Sequence, residues 1–236
     1  MTGPLTLARP ALLCSLGLIA ACTPTPPPAP PPVAPPRLIV PPRPLPPMGA
    51  APNLVLPPLG ADGRRVTVNS GISLKQAAWN LRSAYNVAAL NCQAPAYQAM
   101  AANYADFLKS NKKTLAAIYK DLDKQFKQTY GKTYIQQREV FQTQVYNYFA
   151  FPPVMPVLCD NMLAIGEDLR TVPSKELETR SVLELAKLEN IYQSFFAAYQ
   201  KYQGDLATWN ATYAPPAPLA LYPAVPAGPG GTIATP

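Results

Sequence analysis

Proline crowds the two ends of this chain and is sparse between them. Seventeen of its 31 prolines fall between Thr23 and Pro58 and another seven between Ala214 and Pro236, in a chain of 236 residues. Proline fixes φ and has no backbone donor, so dense runs of it extend as solvated polyproline II and do not build helices or central strands. A packed core is thereby confined to residues 64–213. A span of about 150 residues is long enough to bury on the order of 70% of the surface its unfolded chain exposes. The expected organisation is a Pro-rich linker over 22–63, a folded domain over 64–213 and a disordered Pro/Gly-rich tail over 214–236. At ~3.1 Å per residue the 36 positions from Thr23 to Pro58 reach ~110 Å when fully extended, which makes a spacer.

Residues 1–21 read as a secretion signal: Arg9 supplies the positive start, "ALLCSLGLIA" the apolar run, and Ala20-Ala21 the small residues before the cut. The apolar run is too short to span a bilayer of ~30 Å. Cys22 follows at once. The string "IAAC" resembles the lipobox of bacterial lipoproteins. That resemblance implies that Ile19, Ala20 and Ala21 are the recognition positions and that Cys22 becomes the first mature residue and carries the lipid. With Thr23 after the cysteine, it implies the outer membrane, facing the periplasm. Two or three acyl chains hold a protein stably at a bilayer without a transmembrane helix.

Between the proline-rich ends the apolar residues recur with the helical period. Ser73-Leu-Lys-Gln76 is a capping box opening a first helix, with Leu74, Ala78, Leu81, Tyr85, Ala88 and Cys92 on one face and Trp79 and Leu90 on the other. Two apolar faces make it the expected central helix. A second helix is expected from Pro95 to Ser110, a third from Lys112 to Tyr130 with Gly131 as its stop, and a fourth from Thr133 to Ala150 ahead of Pro152. A fifth spans Pro156 to Arg170. A sixth, capped by Ser174 and ended by Gly204, has its seam at Leu185, Leu188, Tyr192, Phe195, Tyr199 and Tyr202. The fold class is all-α, a bundle of about six helices. "RRVTVN", residues 64–69, is the one extended stretch, with no second strand to pair with. The strings "WNLRSAYNVAALNC" (79–92) and "VYNYFAFPP" (145–153) resemble segments of envelope lipoproteins from Gram-negative bacteria, a resemblance that carries location and architecture but no activity.

Four cysteines are present. Cys14 leaves with the signal and Cys22 takes the lipid, so Cys92 and Cys159 have only each other. An oxidising compartment favours a disulfide between them. Without a C-x-x-C pair, no redox role is indicated.

The chain holds no histidine, which removes imidazole bases, His-ligated metals and Ser-His or Cys-His pairs. No ligand cluster argues for a metal, and no motif argues for a cofactor. Ser110-Asn-Lys-Lys113 matches the S-x-x-K of penicillin-recognising enzymes, but the S-D-N and K-T-G elements that should accompany it are missing. Gly131-Lys-Thr133 lacks the earlier glycine of a phosphate loop, since Phe126 stands there. Carboxylate catalysis would draw on Glu139, Glu167 or Asp168, which sit as surface residues on helices. A histidine-free cell-wall-modifying hydrolase is therefore the alternative, and no catalytic residue is assigned.

Charge speaks more clearly. The chain carries a formal +7, and the stretch from Lys109 to Arg138 holds eight basic residues against Asp121 and Asp123. Lys113, Lys120, Lys124 and Lys127 line one side of the third helix, opposite its apolar seam, and form the candidate anion-binding face. At an envelope address the expected partner is an anionic envelope component or an acidic protein surface, not nucleic acid. The expectation is a lipid-anchored, non-enzymatic cell-envelope protein whose helical module serves structural tethering or interaction.

Overall fold

The structure, a computed structural model, describes residues 39–214. The expected signal (Ile19, Ala20, Ala21), the lipid-bearing Cys22 and most of the C-terminal tail lie outside the described residues. Six α-helices carry the fold: α1 (Leu74–Asn91), α2 (Met100–Ser110), α3 (Lys112–Tyr130), α4 (Tyr134–Phe149), α5 (Met155–Thr171) and α6 (Leu177–Tyr213). A 3-10 turn, Gly131–Thr133, joins α3 to α4 without a gap, so the same residues form five uninterrupted helical runs. Among the described residues there is no strand, only an isolated antiparallel bridge between Leu59 and Arg65.

α1 lies at the centre and touches each of the other five helices. Its composition explains this. Ala77, Ala78, Ser83, Ala84 and Ala88 are all buried, and such small side chains let neighbouring backbones come close on several sides. Ser73 caps the helix, its hydroxyl accepting from the Gln76 backbone N–H at 3.2 Å. α3 and α4 form a hairpin about Gly131, whose φ of +55° a side-chain-bearing residue rarely adopts. α2 packs on α5, and α6 runs along α1. Large rings fill the middle: Tyr85, Phe149, Tyr192 and Tyr199 are fully enclosed. Cys92, at the end of α1, is bonded to Cys159 near the start of α5, with Cα atoms 5.7 Å apart.

Several expectations are corrected. Among the described residues, part of the stretch read as linker packs on the helices. Ala50 is buried, and Leu54 and Leu56 pack on the core. α6 passes through Gly204 to Tyr213, because Tyr202 and Leu206 still have the core to pack against on either side of the glycine. Ser174 does not cap α6. It opens a 3-10 turn, and its hydroxyl donates to the Ser110 carbonyl at 3.1 Å. Pro95 begins only a 3-10 turn, with α2 starting at Met100. Leu74, expected inward, is 50% exposed. On α3 Ile118 faces inward and its neighbour Tyr119 is 39% exposed.

Candidate functional site

The candidate face is built on α3. Leu115, Ile118 and Leu122 turn into the core, and this fixes the rotation of the helix. Lys113, Lys120, Lys124 and Lys127 then stand on its outer side, all exposed. Over fourteen residues at 1.5 Å rise the ridge is ~21 Å long.

What makes the ridge unusual is where its nearby acids go. Asp121 pairs with Lys75 of α1, and Asp123 pairs with Arg138 of α4. Both carboxylates are drawn to neighbouring helices, and among the described residues none of the four ridge lysines has an ion-pair partner within 4.0 Å. The hydrogen bond from Lys75 is the main reason that the Asp121 carboxyl is held below its ordinary range, and the charges of Lys124 and Lys120 add to it. The same bond raises Lys75. Arg138 lies over the Tyr119 ring at 5.3 Å, and Lys127 lies over Tyr134 at 6.0 Å. The stripe therefore presents four cations without an ion-pair partner on one side of a helix.

The carboxylates weighed for catalysis are exposed and paired. The side chains of Glu139, Glu167 and Asp168 are 61%, 53% and 50% exposed, and each lies against an arginine. Glu167 also accepts from Asn103 Nδ2 at 2.8 Å. Ser110 ends α2, where its carbonyl accepts from Ser174, and Lys113 stands on the ridge.

Two acids that sequence reasoning passed over are better enclosed. Glu184 is fully buried on the α6 seam, with Arg180 Nε 2.8 Å from one oxygen and Lys187 Nζ 2.7 Å from the other. Asp168 meets the same two cations at 3.4 and 3.8 Å, so the group closes as two acids and two bases. The spacing that signals it, an Arg four residues before and a Lys three residues after, is visible in the sequence.

Glu189 is different, because it gathers neutral donors. Thr67 Oγ1 and Gln193 Nε2 reach one oxygen at 2.9 and 3.0 Å; Asn69 Nδ2 and the Tyr148 hydroxyl reach the other, both at 3.0 Å. Burial first, and the Glu189 charge next, push the Tyr148 phenol far above its ordinary value, so it stays a donor. Asn80 of α1 extends the network by donating to Asn69 Oδ1 at 2.9 Å. The carboxylate's acceptor sites are occupied from within the chain, and the cluster clips the segment after the Leu59–Arg65 bridge onto α1 and α6.

The fold and face together define a helical bundle bearing an unpaired basic ridge. Compared with protein-family models, with curated proteins and with solved structures, the chain matches none.

Proposed function

We propose that this chain is a lipid-anchored protein of the cell envelope whose helical head binds an anionic envelope component through the α3 ridge. The anchor is Cys22, acylated after cleavage behind Ala21, at the outer membrane and facing the periplasm. The observation that supports the binding reading most is the unpaired state of Lys113, Lys120, Lys124 and Lys127, whose neighbouring acids are taken by other helices. A lysine near an anionic surface contributes roughly 1 kcal/mol, so four of them supply about 4 kcal/mol, on the order of a thousandfold in affinity.

The test is reversal of all four lysines to Glu. Co-sedimentation with vesicles of mixed neutral and anionic phospholipid, using unacylated chain (Cys22→Ala) so that the anchor does not mask the head, is expected to lose binding by about that factor. Circular dichroism should be unchanged, because none of the four side chains is buried. Wild-type binding should also weaken steeply with salt as the screening length shortens. Equal binding by the reversed chain would defeat the ridge. A mature N-terminal peptide without acyl mass would defeat the anchor.

A further inference from the structure

Beside the ridge, the α3–α4 hairpin and the start of α1 enclose a cleft of about 410 Å³ whose chemistry is unlike the ridge's. No charged side chain lines it. On a chain of formal charge +7, with two of the ridge lysines next in sequence to its lining residues, that is a local exception. Its polar groups are mostly amides: Gln76 from α1, Gln125 from α3, and Gln137 and Gln144 from α4. Its apolar walls are aromatic. Phe126 and Tyr130 stack with ring centres 5.8 Å apart, and Phe141 closes the other side at 6.0 Å from Phe126. Tyr130 is 46% exposed, so part of a ring face is open to the cleft's occupant.

Gln76 supplies an independent sign. It is only 8% exposed, and its Nε2 donates inward to Asn80 Oδ1 at 2.8 Å. That bond fixes the amide. Its Oε1 receives no hydrogen bond from any described residue, although the side chain lines the cleft. The carbonyl oxygen is thereby left free at the cleft wall to accept from a ligand hydroxyl.

We propose that this cleft binds a neutral saccharide. A charged ligand would find no counter-charge there. An amide side chain presents a donor and an acceptor side by side, which matches the hydroxyls of a sugar ring, each able to give and to receive. The weakly positive C–H face of a pyranose suits the negative face of an aromatic ring. The volume falls in the range of small-ligand sites, roughly 300–1,000 Å³. The site does not depend on the ridge, and the two are separable by mutation.

The full-length chain is titrated by calorimetry with tri-N-acetylchitotriose and, in parallel, with cellotriose. Saturable binding of at least one, with a dissociation constant of order 1 mM or tighter, is expected. Tyr130→Ala with Gln144→Ala, both at exposed positions, is expected to weaken binding about tenfold or more while leaving the thermal melt in place. Should that pair unfold the hairpin, Gln125→Ala with Gln144→Ala replaces it. The four-lysine reversal should bind the sugar as the unaltered chain does, so loss of ridge binding and loss of sugar binding report different sites. No saturation by either sugar at about 10 mM overturns the proposal. Equal affinity in the cleft variants overturns it too, as does a preference for an uncharged proline-rich peptide over both sugars.

Discussion

Gly166 on α5 stands against the ring of Tyr85 on α1: a Cβ there would lie 2.4 Å from the Tyr85 hydroxyl oxygen and 3.0 Å from the ring carbon that bears it. Tyr85 has no room to yield, being fully buried and packed on Tyr104 and Phe107 at ring separations of 5.1 and 5.6 Å. Its hydroxyl has no partner among the described residues, and burial, followed by the Glu167 charge, pushes its pKa up to about 12. Gly166→Ala is therefore expected to cost about 1–3 kcal/mol in a urea titration, the usual range for overpacking. Tyr85→Phe in the same chain should return part of that, because it removes the nearest atom together with an unpartnered hydroxyl. An unchanged urea midpoint in Gly166→Ala would show that the two helices are not this close. The inward placement of Tyr85 is legible from its spacing along α1. The glycine that receives it is not, since the contact joins positions far apart in the chain and no local period records it.

The longest element, α6, shows how the proline-rich segment is held. Prolines offer carbonyls but no N–H groups, so whatever docks them must bring donors. α6 brings two. Trp209 Nε1 donates to the Pro41 carbonyl at 2.8 Å, and the Tyr199 hydroxyl donates to the Ala51 carbonyl at 2.7 Å while accepting from the Leu54 N–H at 2.9 Å. Arg65 adds a third, reaching the Pro57 carbonyl at 2.7 Å. Residues 40–58 are thereby strapped along the helix. An extended strap has no hydrophobic period, and its anchors are polar atoms on otherwise aromatic side chains. For this reason the sequence reads as linker to residue 63, whereas the six-helix pattern of the apolar seams is legible. Tyr199→Phe keeps the ring and removes both strap bonds. It is expected to cost about 1 kcal/mol, because the Leu54 N–H and the Ala51 carbonyl keep only their 3.4 Å bond to each other. It should also expose residues 40–58 to proteolysis well before the helices are cut. Equal cleavage rates in the two chains would mean the strap is held by something other than this hydroxyl.

At the scale of the whole molecule, two features depend on the helices being assembled. The ridge is one: its residues and net charge are legible along α3, but the capture of Asp121 by α1 and of Asp123 by α4 exists only in space, and that capture leaves the lysines unpaired. The disulfide is the other. It closes a separation of 67 residues by joining the end of α1, the helix that touches all the others, to the start of α5. Constraining a loop of that length in the unfolded chain is worth about 4 kcal/mol in the chain-entropy account, and measured gains tend to be smaller. The folded state, by contrast, depends little on the bridge, because α1 is held from Gln76 to Ala88 by buried contacts that survive reduction. Replacing Cys92 and Cys159 together by Ala is thus expected to lower the unfolding free energy by up to about 4 kcal/mol while the far-ultraviolet dichroism of the folded chain stays the same. Loss of helix at zero denaturant would instead make the bridge a requirement for the bundle to form, and the packing around α1 insufficient by itself.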